Sequence, residues 1–418
     1  MKRHTSYLLP LALAACSGGT TPGEISSSKQ RETAANVSAD QLTAAATSER
    51  TFGVALYAQL VDGTGGNVFF SPHSIEEALS MTYAGAAGET AAQMRSVLAY
   101  TLPDDQIHQA MNGLDLALES RGKGQVGVDG NPFKLSVANA LWGQSGYTFL
   151  PAFLDTLAQS YGAGVHPLDF EHAPDPSRIT INDWVASETN DKIKDLLAEG
   201  SVTSNTRLVL TNAVYFNASW ATPFAAAETT IAPFTTLAGS TVQAPTMHAG
   251  FEGSGYASGG VEAVQLDYAG HELSMIVIQP DDLAQYESQL TPAVLDALVG
   301  KLEHAYVTLS LPKWKVTDSH DLVAPLRALG MTDAFESADF SGIDGAKDFV
   351  IQDVVHKAYI AVDEKGTEAA AATAVVDETT SITTKQLTLT FDHPYLYVIR
   401  DNATGAIVFM GRIADPTL

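Results

Sequence analysis

Cysteine is almost absent from this chain: its 418 residues contain one, Cys16. No disulfide can form within the chain, so its stability has to come from burial. Cationic residues are scarce as well, with 23 Lys and Arg against 48 Asp and Glu, for a formal net charge of −25. Phosphate backbones are gripped by clustered cations, so this balance argues against a nucleic-acid partner. It describes instead an acidic, solvated surface. Aromatic residues make up only 8%, yet hydrophobic residues reach 45%, enough for a substantial core. The length permits several domains or one large fold.

Catalytic equipment is missing too. Gly143-Gln144-Ser145-Gly146-Tyr147 lacks the final glycine of a nucleophile elbow. Ser26-Ser27-Ser28-Lys29 fits Ser-x-x-Lys but lies in a polar stretch with no pocket to activate a nucleophile. His271-Glu272 has no second histidine at helical spacing, which excludes a zincin site. Gly253-Ser254-Gly255 lacks the third glycine and helix of a dinucleotide site. The eleven histidines are scattered and have no cysteine partners, so no metal and no cofactor are expected. His356, between two apolar runs, reads as a buried, hydrogen-bonded residue.

What is present begins with a leader. Lys2 and Arg3 precede an apolar run from Tyr7 that ends in Leu13-Ala14-Ala15-Cys16. A basic start, a short apolar middle and small residues at a cleavage point describe an export signal over residues 1–15. The apolar run is too short to span a bilayer. Leu-Ala-Ala-Cys resembles the bacterial lipobox, which implies cleavage before Cys16 and lipidation of its thiol. An ordinary secretory leader with an incidental cysteine is the alternative. Ser17, following the cysteine, favours the outer membrane by the same analogy. Residues 16–37, rich in Ser, Thr, Gly and Ala, read as a flexible tether. It would hold a soluble single domain, residues 38–418, off the membrane.

Within that body, apolar spacing predicts helices from Ser38 to about Leu60, from Ser71-Pro72 onward, over Ala91–Leu98, from Pro103 to about Ser120, and starting at Ile181. Leu208 to Phe216 is a nearly continuous apolar run, fit for a strand buried on both faces. Strands are predicted over Leu135–Trp142, Val261–Asp267, Leu273–Ile278, Tyr306–Leu311, Leu387–Phe391, Tyr395–Ile399 and Ala406–Met410. A helix over Asp321–Leu329 interrupts them. Helices dominate the first third and strands the rest without regular alternation, which makes the class α+β.

One segment resists assignment. Glu364-Lys365-Gly366-Thr367-Glu368 followed by Ala369, Ala370, Ala371, Ala372 and Thr373 is a good local helix, with Thr367 as a cap. It follows an apparent strand, Ala358–Val362, and its small side chains would equally suit a closely packed sheet.

This segment resembles the hinge of the serpin family, the serine protease inhibitors. Other segments resemble the family in the same order: Asn67 to Ile75, Asn182-Asp183-Trp184-Val185 with Thr189, Leu208–Phe216 with Trp220, Leu311-Pro312-Lys313, His356-Lys357-Ala358, and Phe391-Asp392-His393-Pro394. The likeness runs from about residue 40 to Ile413. Asp191 stands where the family usually has glycine, and Tyr395 where phenylalanine is usual.

The resemblance implies three β-sheets, about nine helices and an exposed reactive loop. It also implies a mechanism. A protease attacks the loop, forms an acyl ester, and is trapped when the cut loop inserts into the central sheet. Thr367, Ala369, Ala371 and Thr373 would face the core in the inserted strand, and Glu368, Ala370 and Ala372 would face out. Ser71, Ser74, Asn212 and His356 would form a polar cluster beneath the sheet, with Trp220 at its upper end. Counting from Gly366 places the scissile bond at Thr380-Ser381; counting back from His393-Pro394 gives Thr383-Thr384. Thr380 suits an elastase-like or subtilisin-like serine protease, with cysteine proteases as secondary targets. The implied protein is a monomeric inhibitor, lipid-anchored at Cys16 in a bacterial envelope or secreted, and not an enzyme. A non-inhibitory serpin with a binding or structural role is the other reading.

Overall fold

The computed structural model describes residues 23–33, 36–123, 134–367 and 385–418. Its first half contains α1 (Ala39–Val61), β1 (Val68–Phe70), α2 (Pro72–Tyr83), α3 (Gly88–Val97), α4 (Asp104–Ser120), β2 (Lys134–Gln144), α5 (Pro151–Tyr161), β3 (Val165–Leu168), α6 (Pro174–Glu188) and β4 (Leu208–Ser219). Strands then take over. They are β5 (Thr230–Thr235), β6 (Thr241–Ser258), β7 (Val261–Asp267), β8 (Leu273–Pro280), β9 (Glu303–Pro312), β10 (Trp314–Asp321), β11 (Asp353–Asp363), β12 (Gly366–Thr367), β13 (Gln386–Thr390), β14 (Tyr395–Asp401) and β15 (Ile407–Ile413). Four short helices intervene: α7 (Leu283–Gln289), α8 (Pro292–Val299), α9 (Val323–Ala328) and α10 (Ser341–Asp344).

The helix starts follow from capping chemistry. Ser38 and Gln41 form a reciprocal capping box at α1. Ser71 caps α2 by accepting from the Ser74 N–H, and Pro72 occupies the first turn, where its missing N–H costs nothing. Helix α6 starts at Pro174, one and a half to two turns before the expected Ile181. Proline at the first position presets the helical φ, and Asp175 favours the positive end of the helix dipole. Beyond α6, Asp191 has φ +60°, the left-handed region that glycine enters freely and aspartate tolerates. That explains how the family's glycine can be replaced there.

Among the described residues the strand ladders connect into two hydrogen-bonded sheets, the larger of which joins the two smaller sheets of the resemblance. A six-stranded sheet has the order β10-β11-β12-β4-β2-β3. A nine-stranded sheet runs β1-β15-β14-β8-β7-β6-β9-β13, with β5 also on β6. The two smaller sheets implied by the resemblance are continuous because β6 is 18 residues long. It pairs with β5 over Thr241–Thr246, with β9 over Thr246–Gly255 and with β7 over Ser254–Ser258.

The main core lies between the two sheets. Phe216 of β4 packs edge-on against Tyr268 at 5.2 Å and against Phe409 of β15 at 5.3 Å. Helix α2 also lies there, touching β15 on one side and β2 and β4 on the other. On the opposite face of the six-stranded sheet, Ile181 of α6 covers Ala140 and Trp142 of β2. Each fully buried side chain of this kind contributes about 1.5–3 kcal/mol.

The tether reading needs correction over residues 23–33. Ile25 exchanges backbone hydrogen bonds with Val165 of β3, at 2.8 and 2.9 Å. Arg31 pairs with Asp115 and Glu119 on α4 and donates to Asn112 Oδ1 at 3.0 Å. Composition alone marks this stretch as polar. The open edge of β3 and two carboxylates on α4 provide partners that composition does not reveal. Cys16 and the leader lie outside the described residues.

Candidate functional site

The six-stranded sheet carries a partly opened seam. β4 and β11 pair in parallel from Val209–Asp353 to Tyr215–Tyr359. Above that point they separate, and β12 lies between them. Gly366 pairs with Ser219 and Asp363, and Thr367 with Ala218 and Val362, antiparallel on both sides. Only glycine fits the first position, because a Cβ on Gly366 would stand 2.1 Å from the Ala218 carbonyl oxygen. Thr367 is fully buried, and its hydroxyl is 2.9 Å from the Tyr268 hydroxyl.

The turn leading into β12 is clamped. Trp220 donates its indole N–H to the Asp363 carbonyl at 3.0 Å and its backbone N–H to the Lys365 carbonyl at 2.8 Å. Its ring stacks on Tyr268 at 4.6 Å. Glu364 accepts from Thr229 Oγ1 and from Lys313 Nζ, each at 2.7 Å. Burial pushes the Glu364 carboxyl up, but these hydrogen bonds and the Lys313 charge outweigh it and hold the group below its ordinary value.

Lower in the seam a polar row crosses four strands in register. His320 of β10 faces His356 of β11, His356 faces Asn212 of β4, and Asn212 faces Asn139 of β2. The N-terminus of α2 sits against this row. Ser71 donates its N–H to His356 Nε2 at 3.1 Å, and its hydroxyl donates to the Val408 carbonyl at 2.7 Å. Ser74 Oγ donates to Asn139 Oδ1 at 2.9 Å. Asn212 donates to both Ser74 Oγ and Asn139 Oδ1.

An accepting Nε2 requires a neutral His356 ring protonated at Nδ1, which then donates to Asn212 Oδ1. Burial, with His320 nearby, holds this imidazole well below its ordinary value. Ser71, Ser74, Asn212 and His356 thus form one connected cluster. Asn139 completes it, although no spacing in the sequence points to that residue. Trp220 belongs to the separate clamp at the upper end.

Of the hinge candidates, Glu364, Gly366 and Thr367 are described. Glu368, Ala369, Ala370, Ala371, Ala372 and Thr373 lie outside the described residues, as do the scissile candidates Thr380, Ser381, Thr383 and Thr384. The chain is described again from Lys385, whose carbonyl accepts from the Tyr306 N–H of β9 at 2.8 Å.

Comparison with known proteins converges on one family. The family model for serpins (serine protease inhibitors) matches residues 47–416. The human leukocyte elastase inhibitor is 36% identical over 394 residues, covering 90% of this chain and all of that protein. A serpin-like protein of Thermococcus kodakarensis is 38% identical over 370 residues, covering 88% of this chain and 84% of its own. Among solved structures, the thermophilic serpin tengpin in its native state aligns with a TM-score of 0.80 at 26% identity, over 94% of this chain and 97% of its own. Uncleaved ovalbumin aligns at 0.78 and 28% identity, over 90% of this chain and all of its own. With a matching fold, a seam in the central sheet and a family match spanning almost all of the described body, this chain belongs to the serpin family of serine protease inhibitors, not to the enzymes.

Proposed function

We propose that the protein is an irreversible suicide-substrate inhibitor of elastase-like or subtilisin-like serine proteases. The observation that carries this reading is β12. Its two residues already occupy the space between β11 and β4, antiparallel to both. Each further residue entering the gap would extend the same two ladders. In the proposed reaction the protease serine attacks the Thr380 carbonyl, forming an ester and releasing the Ser381 amine. Insertion of the cut segment then carries the acylated protease away before water can cleave the ester. The small residues after Thr367 support this, since a bulky or charged inward side chain would stall the strand. The similarity to a leukocyte elastase inhibitor supports the elastase-like target class.

The test mixes the soluble body with elastase-, subtilisin-, trypsin- and chymotrypsin-like proteases. Supporting results are a denaturant-resistant covalent complex and a released peptide beginning at Ser381 by mass spectrometry. Cleavage of the loop without any complex would refute inhibition and leave a non-inhibitory serpin. We further propose lipid anchoring at Cys16 in a bacterial envelope; a Cys16→Ser variant should leave the membrane fraction, and unchanged fractionation would refute the anchor.

A further inference from the structure

Beneath the polar row lies a second cluster that the inhibitory reading does not use. His73 and Glu77 of α2 stand one helical turn apart, and Asp115 of α4 comes against them. One ligand atom from each of the three lies within 4.8 Å of the other two. We propose that these three side chains form a binding site for one first-row divalent cation, of the Zn²⁺ or Mn²⁺ type.

The geometry accommodates a metal in place of the ion pair that His73 makes with Glu49 and Asp115. His73 Nε2 is 3.3 Å from Asp115 Oδ1. Charge-assisted N–H···O⁻ bonds are about 2.7–2.9 Å long, so this is a slack hydrogen bond. It matches the roughly 3.3–3.4 Å edge of a tetrahedron built on bonds of about 2.0–2.1 Å. The other ring nitrogen, Nδ1, is held by Glu49 Oε2 at 2.7 Å. That is the carboxylate–histidine arrangement which fixes a ligating imidazole from behind. Asp115 uses its other oxygen for Arg31, leaving Oδ1 to face His73. Asn139 donates to Glu77 Oε2 at 2.6 Å and orients that carboxylate as well.

A separate observation concerns charge. Both carboxylate oxygens of Glu76 and Oε1 of Glu49 are buried with no hydrogen-bond partner among the described residues. Glu76 is fully buried, and its charged neighbours are Glu49 and His73. Among the described residues, His73 and Arg31 are the cationic partners of Glu49, Glu77 and Asp115. Burial and the neighbouring Glu49 push the Glu76 carboxyl well above its ordinary value, so it is held neutral; a dication at His73 would meet the carboxylates of Glu77 and Asp115. An oxygen-rich set with one imidazole fits borderline to hard divalent ions, and the described ligands include no thiolate. Glu77 is partly exposed and marks the side from which an ion would enter.

The test titrates chelator-treated, full-length protein with Co²⁺ and Zn²⁺ at neutral pH. The expected result is one ion per chain, with a Co²⁺ visible spectrum of nitrogen and oxygen ligands that Zn²⁺ displaces. Glu49→Gln should weaken binding by about 10–100-fold. His73→Gln and Glu77→Gln should reduce it further, to the level of the chelator-competed baseline. Glu77→Gln, at the cluster's edge, keeps the test decisive if the buried variant does not fold. Absence of stoichiometric binding, or binding unchanged in Glu77→Gln and Asp115→Asn, would overturn the proposal. Uptake of protons in place of metal on assembling the cluster would overturn it too.

Discussion

Acid should loosen the seam through His356. The folded protein holds this ring neutral, because Nε2 accepts from the Ser71 N–H while Nδ1 donates to Asn212. In the unfolded chain it titrates near 6.5. Above 6.5 both states are neutral and its contribution to stability is fully present. Below 6.5 the unfolded chain takes up a proton that the folded ring, depressed by burial and by His320, refuses. Stability is therefore lost as pH falls from 6.5 toward the folded value, by about 1.4 kcal/mol per unit at the limiting slope. Asp353 acts in the opposite sense. Burial and Asp321 push it up to about 6, so its contribution grows as pH falls through 6 toward 4. A variant separates the two. His356→Gln keeps a donor and an acceptor but cannot titrate. The proposed insertion mechanism would make the native state a kinetic trap, so the assay is the unfolding rate in fixed urea between pH 7.5 and 5.5. The wild type should unfold up to about tenfold faster at pH 5.5 relative to the variant's own change. Equal pH slopes in the two proteins would refute the argument.

Thr367→Arg would place a charge where the wild-type side chain is fully buried; protease mixing should give loop cleavage without covalent complex, and retained complex would refute strand entry. Gly366→Ala brings a Cβ to 2.1 Å from the Ala218 oxygen; overpacking of this kind costs about 1–3 kcal/mol, measurable as a lower urea midpoint. Asn139→Ala removes partners of Ser74, Asn212 and Glu77; it should cost about 1–3 kcal/mol and speed unfolding. Cleavage after Thr380 should raise the thermal midpoint by tens of degrees, because each inserted residue adds hydrogen bonds worth about 0.5–1.5 kcal/mol net. An unchanged midpoint on differential scanning would show that no insertion follows the cut.

Much of the frame was legible in local chemistry. Ser38 and Ser71 marked helix starts because caps and first-turn prolines act within a few residues. The run Leu208–Phe216 marked β4 because a strand covered on both faces needs apolar side chains at every position. Features that depend on distant partners were not legible. Residues 23–33 dock through the edge of β3 and the carboxylates of α4, which no local pattern encodes. Asn139 reaches the polar cluster only because β2 pairs with β4 in one particular register. The His73 cluster was hidden for the same reason. His73 and Glu77 have helical ligand spacing, but Asp115 arrives from another helix and Glu49 from a third. Gly366 and Thr367 lie in a strand because a gap exists between β11 and β4, not because their own propensities favour one.

That gap also explains why the native arrangement would be metastable. The seam joining β4 to β11 is parallel over seven residue pairs, 209–215 with 353–359. Parallel ladders are slightly weaker per residue than antiparallel ones. A strand continuing from Thr367 would remove this one parallel interface and create two antiparallel ones, since β12 is already antiparallel to both neighbours. The exchange is favourable in hydrogen bonds and in burial, yet two features oppose it. One is the polar row, where His356 and Asn212 must separate before a strand can pass between them. The other is covalent. Thr367 is fixed in the sheet by Ala218 and Val362, while Lys385 is fixed on β9 by Tyr306. Under the proposed mechanism, holding both ends restrains the intact chain from entering the seam. A cut would remove that second constraint and leave the polar row as the barrier among the described residues. Under the proposed mechanism, proteolysis would release free energy stored in the sheet, and the protease would supply the cut that traps it.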